Sequence, residues 1–180
     1  MVTATERSEH HAEQTERARH IASLVPDPEL PMLTLSDLGV LRGIEVEQDG
    51  TVVARLTPTY SGCPALAEMR AEVATRLRAA GFPAVRVVTV LDPPWSTDRI
   101  TDEGRRKLAE YGIAPPGPRR TPESEPGRVR LTLTLAPTAV PCPRCTSADT
   151  EEISRFAATA CTALRRCRAC LEPFEHVKDL

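Results

Sequence analysis

Apolar residues return at two different periods along the 180-residue chain, and the periods divide it into elements. Residues 1–14 are polar throughout and are expected to form a disordered leader. Ala18, Ile21, Ala22 and Val25 then fall on one face of a predicted helix over Thr15–Val25, which stops at Pro26. Leu30 to Leu41 reads as a loop. Two alternating stretches, around Ile44–Glu47 and Val53–Thr57, flank Asp49-Gly50 and predict a hairpin. Leu66, Met69, Val73, Leu77 and Ala80 mark the buried stripe of a helix, with Pro64 at its first position and Gly81 at its stop. Val85, Val87, Val88, Val90 and Leu91 predict a strongly apolar strand, expected to be central in its sheet. Thr101 is a good cap for a third helix reaching Tyr111. Prolines crowd the stretch after it, which predicts an extended linker over 114–128. Val129, Leu131, Leu133 and Leu135 alternate with polar residues and predict one more strand, leading into a cysteine-rich tail.

That tail holds the most specific chemical signal. Cys142-Pro143-Arg144-Cys145 and Cys167-Arg168-Ala169-Cys170 each place two residues between their sulfurs. Two such turns can present four thiolates to one ion, the closed tetrahedral shell of structural Zn²⁺. The other reading is a pair of disulfides or free thiols. A polar start without an apolar core predicts neither signal peptide nor membrane span, hence a cytoplasmic protein whose thiols stay reduced, which favours metal. A closed shell holds a fold and leaves no position for chemistry. His176 is then surplus and is expected at the surface.

The remaining composition excludes more than it suggests. A net charge of −2 carries no footprint for nucleic acid or an anionic membrane. Arg105-Arg106-Lys107 and Arg119-Arg120 read as solvated surface. Trp95, the only tryptophan, reads as a packing anchor. Cys63, between Gly62 and Pro64 at a predicted helix start, is the main candidate outside the tail. Helix N–H groups there would stabilise a thiolate and lower its pKa, making it a nucleophile, a soft metal ligand or a redox thiol. The alternative is a small buried residue without chemistry. Asp27, Glu29, Asp37 and Asp92 sit beside turns, where Asp is favoured by side-chain bonds to the backbone; they could also form a carboxylate wall around Cys63. Cys161 reads as a packed small residue of the tail, a second reactive thiol or a substitute metal ligand.

Asp27-Pro28-Glu29-Leu30-Pro31, Ser36-Asp37-Leu38-Gly39, Ser61-Gly62-Cys63-Pro64 and Leu91-Asp92-Pro93-Pro94-Trp95 resemble, in order and rough spacing, the iron–sulfur assembly domain of SufT-type and MIP18-like proteins. The run from Phe156 through Cys161, Cys167 and Cys170 to Pro173-Phe174-Glu175-His176 is similar to the end of PaaD-type phenylacetyl-CoA epoxidase assembly proteins, with Ala157 where a glycine is expected. The resemblance implies an α/β (α+β) architecture. A small mixed sheet with helices, the MIP18-like domain, would cover 15–113, and a four-cysteine zinc-ribbon module would cover 129–180. It implies a maturation factor without independent enzymatic activity, whose partners are the epoxidase subunits. Cys63 would be the transient contact for iron or an iron–sulfur cluster, and Asp27, Glu29 and Asp37 possible supporting carboxylates. The alternatives are a structural or catalytic subunit of the oxygenase and a zinc-ribbon interaction module.

Overall fold

A computed structural model describes residues 4–60, 62–117 and 139–179. They form a mixed α+β molecule with two compact units, Met1–Tyr111 and Gly112–Asp179. The predicted strand over 129–135 and most of the predicted linker lie outside the described residues.

In the first unit, helix α1 runs Ala4–Ser23. The disordered leader is thus corrected from Ala4 onward. Its Ala, Glu, Gln and Arg are good helix formers, so the helix continues past its buried stripe into exposed turns. Strands β1 (Leu41–Val46) and β2 (Val52–Leu56) pair antiparallel around the turn at Asp49-Gly50, where the Thr51 N–H donates to Asp49 Oδ1 at 2.9 Å. Helix α2 (Leu66–Ala79) connects β2 to the parallel strand β3 (Val85–Thr89). Met69, Val73 and Leu77 are its buried stripe, and Gly81 ends it at φ +94°, a left-handed conformation that costs glycine nothing. Helix α1 packs on β1, α2 on β3, and the helices touch each other.

The sheet order β1-β2-β3 corrects the expected central position of the Val85–Leu91 strand. β2 is central and nearly all buried, whereas β3 is an edge strand of half-buried and exposed residues. Apolar content alone did not distinguish the two, because the crossover through α2 decides which strand gains two neighbours.

The segment between α1 and β1 is a loop by backbone but core by burial. Val25, Leu33, Leu35 and Val40 have no exposed surface. A bridge joins Pro26 to Thr34, and the Asp27 N–H donates to the Leu33 carbonyl at 2.8 Å. Gly39, at φ +65°, lets this loop approach Arg99; a Cβ there would lie 2.5 Å from the Arg99 carbonyl oxygen. Trp95 anchors the same contact by donating Nε1–H to the Leu38 carbonyl at 2.8 Å. Helix α3 (Asp102–Glu110) follows, with Thr101 accepting from the Gly104 N–H as expected of its cap.

In the second unit, β4 (Ile113–Ala114) lies parallel to β7 (Pro173–Val177). Strands β5 (Thr150–Ser154) and β6 (Thr162–Cys167) complete the order β4-β7-β6-β5. The linker expected from residue 114 is corrected at its start: Ala114 is buried against Val140, Cys142, Cys167 and Phe174. A two-residue strand carries no periodicity, so only its partner reveals it.

Candidate functional site

In the first unit, Cys63 sits in the turn that enters α2. Its N–H donates to the Tyr60 carbonyl at 3.2 Å, and its carbonyl accepts from the Leu66 N–H at 3.3 Å. The helix begins at Leu66 behind a cap at Ala65, so Pro64 precedes the first turn instead of occupying it. Burial pushes the Cys63 thiol above its ordinary pKa. The Ala65 and Leu66 N–H groups pull the other way, as their place at a helix start requires, but the charges of Glu29 and Asp27 add to the rise. The expected low-pKa thiolate is therefore corrected. Desolvation and two carboxylates outweigh the helix terminus.

Those carboxylates are perturbed in the same sense. Asp27 is 4% exposed, and its Oδ1 accepts from the Glu29 and Leu30 N–H groups at 2.9 and 2.8 Å. Burial raises its pKa against those two bonds, and the Glu68 charge raises it further. Burial also raises Glu29, with a contribution from the Asp27 charge. Asp27 and Glu29 thus act on Cys63 through their charge, while among the described residues the side chains that converge closely enough to share one ion are the four tail cysteines. Glu68 is a contributor that the sequence did not suggest, since it lies on α2 and Asp27 lies after α1.

Asp37 belongs to another network. It accepts from the Thr34 N–H at 2.9 Å and from Lys107 Nζ at 2.8 Å. Burial would raise this carboxyl, but the Lys107 and Thr34 bonds and the Lys107 charge together hold it below the ordinary range. Its carbonyl also accepts from the Thr101 N–H at 2.9 Å, which ties the loop to the start of α3. Lys107, expected as solvated surface, is this carboxylate's partner. Arg105 likewise donates Nη2–H to the Thr97 carbonyl at 2.9 Å. Asp92 has no such contact among those described.

In the second unit, Cys142, Cys145, Cys167 and Cys170 converge, their sulfurs all within 4.8 Å of one another. The first pair precedes β5, and the second runs from the last residue of β6, Cys167, into the β6–β7 turn at Cys170. The turns are built alike. Thr146 and Leu171, each following the second cysteine of its pair, take left-handed φ values of 60° and 64°. The Cys170 N–H points at Cys167 Sγ at 3.4 Å. Cys142 Sγ lies 3.8 Å from Cys170 Sγ, and Cys145 Sγ lies 3.5 Å from Cys167 Sγ. Thiolates about 2.3 Å from a tetrahedral Zn²⁺ stand roughly 3.8 Å apart, so the donor set fits that ion. The charges agree. The Cys170 N–H is the main influence drawing Cys167 down to about 7. Although the Ser147 N–H favours its thiolate, Cys145 is pushed up to about 12 by the sulfurs of Cys170, Cys167 and Cys142. One thiolate is accommodated and a second is resisted, a penalty that a cation in their midst removes.

Cys161 is buried outside the four-sulfur group and lies 3.0 Å from Thr159 Oγ1. His176, expected at the surface, is buried at 6% exposure. It takes an inward position on β7 opposite Ala163, a consequence of register that composition does not reveal.

Comparison with known proteins matches residues 23–91 to an iron–sulfur cluster assembly protein family and residues 126–178 to the PaaD zinc beta ribbon domain. The chain is 42% identical over 158 residues to the D component of a putative 1,2-phenylacetyl-CoA epoxidase of Escherichia coli, covering 88% of each chain. It is 29% identical over 85 residues to an "Fe-S protein maturation auxiliary factor" of Porphyromonas gingivalis, covering 47% of this chain and 80% of that one. The crystal structure of a domain of unknown function, DUF59, from Bacillus anthracis shares the fold, with a TM-score of 0.52, 22% identity, and coverage of 56% of this chain and 96% of that one. An assembly-type first unit, a ribbon with four converging sulfurs and a relative matched over most of both lengths place this chain in the PaaD family.

Proposed function

We propose that this chain is an accessory factor that helps load a metallocentre of a phenylacetyl-CoA epoxidase, with iron or an iron–sulfur cluster as its cargo. The observation that carries the reading is the shared perturbation of Cys63, Asp27 and Glu29. Burial raises all three, the Glu29 and Asp27 charges disfavour a thiolate at Cys63, and the Asp27 charge disfavours a carboxylate at Glu29. Such a group favours an incoming cation, which would displace the thiol proton and relieve the repulsion. A single thiolate holds a soft metal weakly enough to release it, whereas four thiolates retain theirs. In this reading the tail binds structural Zn²⁺ and the first unit handles cargo. The names of the two relatives support both the oxygenase partner and the maturation role. The chain has no turnover of its own and works in the cytoplasm beside the apo-subunits. No helix among the described residues is long and apolar enough to cross a membrane.

The test is co-expression of the epoxidase subunits with wild type or Cys63→Ala, followed by iron content and turnover of the purified complex. Iron content and turnover should fall together, while Trp95 fluorescence shows the variant folded. Full activity with Cys63→Ala refutes the cargo thiol. Lost turnover at normal iron content favours a catalytic subunit instead.

A further inference from the structure

The second unit carries a polar cavity that the four sulfurs do not use. On β6, Ala163, Arg165 and Cys167 share one face. Pairing sets Glu152 and Phe174 beside Arg165 and places His176 beside Ala163 on that face. Phe174 and Cys167 build the core there with Val140 and Cys142. An arginine and a histidine therefore occupy positions where the strand pattern calls for apolar residues. Arg165 is 9% exposed and His176 6%.

Their polar atoms are not satisfied in place. Arg165 Nε and His176 Nε2 are buried without a hydrogen-bond partner. The remaining Arg165 contacts are long: Nη2 to Thr150 Oγ1 at 3.4 Å and Nη1 to Glu152 Oε2 at 3.8 Å. Both residues line a cavity of about 310 Å³, together with Glu152, Arg155, Lys178 and Asp179. Buried donors without acceptors are costly, and proteins rarely keep them without a ligand or water to complete them.

We infer that this cavity binds an oxyanion group, a phosphate or a carboxylate. Arg155, Arg165 and Lys178 face Glu152 and Asp179, which leaves one positive charge in excess. The edge of a guanidinium offers parallel N–H donors that match the paired oxygens of either group. Burial, reinforced by the Arg165 charge, holds His176 down to about 4, so its ring is neutral and its unpartnered Nε2 donates to an anion in the tautomer that carries the proton there. A cation is disfavoured by the same arginine. Water could fill the space but would leave the excess charge unanswered. Lys178 donates to the Arg155 carbonyl at 3.1 Å, which ties these two lining residues together.

The experiment titrates the full chain, purified under reducing conditions with its tail metal in place, with inorganic phosphate and separately with acetate. The readouts are the His176 ring resonances and calorimetry. Saturable binding near 1 mM is the order expected of such a small site. Arg165→Gln should weaken it about tenfold, and Arg155→Gln, on the exposed rim, about threefold. Glu152→Gln should tighten it about threefold by removing a competing carboxylate. If Arg165→Gln unfolds the ribbon, the rim variant and Glu152→Gln decide the matter. Tighter phosphate than acetate points to a phosphorylated ligand; the reverse points to a protein or metabolite carboxylate. No saturable shift up to roughly 50 mM of either anion, or unchanged or weaker binding in Glu152→Gln, overturns the site.

Discussion

Asp27 separates stability from function more sharply than any other residue of the first unit. Its carboxylate accepts two backbone N–H bonds, one from the 5%-exposed Leu30, yet it carries its charge in a site that burial and Glu68 make unfavourable. Asp27→Ala strands the Leu30 N–H away from water, while the half-buried Glu29 N–H regains some solvent. That should cost about 2–3 kcal/mol, and roughly 10–20 °C in Tm. Asp27→Asn keeps an oxygen for both donors and removes the charge. Its stability at pH 7 should equal or exceed that of wild type. The sign of the pH dependence follows from the raised pKa. Between the unfolded carboxylate value, about 3.9, and the higher folded one, the folded chain binds more protons, so wild type loses stability as pH rises. Asp27→Asn lacks that loss, so the stability gap between the two should open across this window and stay constant above it. Urea unfolding read by Trp95, the sole tryptophan and 6% exposed, reports this unit selectively. If Asp27→Asn is as unstable as Asp27→Ala, or if the gap does not change with pH, the account of Asp27 as a buried, disfavoured charge is wrong. In epoxidase maturation Asp27→Asn should nonetheless underperform, because a neutral amide draws no cation.

Three further outcomes follow from the same geometry. Zinc and iron analysis should find one zinc per chain, and Cys142→Ser or Cys170→Ser should release it and loosen the ribbon; metal retained at full stoichiometry by either variant contradicts the four-sulfur site. Cys63 should alkylate more slowly at pH 7 than a free thiol, with a rate still climbing above pH 9, in keeping with its raised pKa; a rate plateau near pH 7 would contradict the desolvated thiol. Lys107→Met should cost about 1 kcal/mol at neutral pH. The depressed Asp37 contributes stability above the unfolded carboxylate value that is lost as pH falls through its folded one, so the difference from wild type should vanish in acid; a difference that persists at pH 2 would rule out the ion pair as its source.

What the sequence determined by itself was local. Two residues between paired cysteines set the reach of each turn, so the four-sulfur cluster was legible before any fold was known. The Asp49-Gly50 hairpin, the α2 stripe and the Thr101 cap were legible for the same reason: each depends on residues within one or two turns of chain. Tertiary structure decided whatever depends on solvent access or distant partners. Cys63 looked like an activated thiolate from its neighbours in sequence, but burial and the carboxylates of a loop more than thirty residues earlier reverse its pKa. Lys107 looked like solvent-exposed charge until the fold set it on Asp37. The Val85–Thr89 strand looked central, and sheet order made it an edge. His176 looked like surface, and strand register turned it inward on the same face as Arg165. Desolvation and pairing are sums over neighbours that only the folded chain assembles, and in this protein those sums decide the chemistry of both candidate sites.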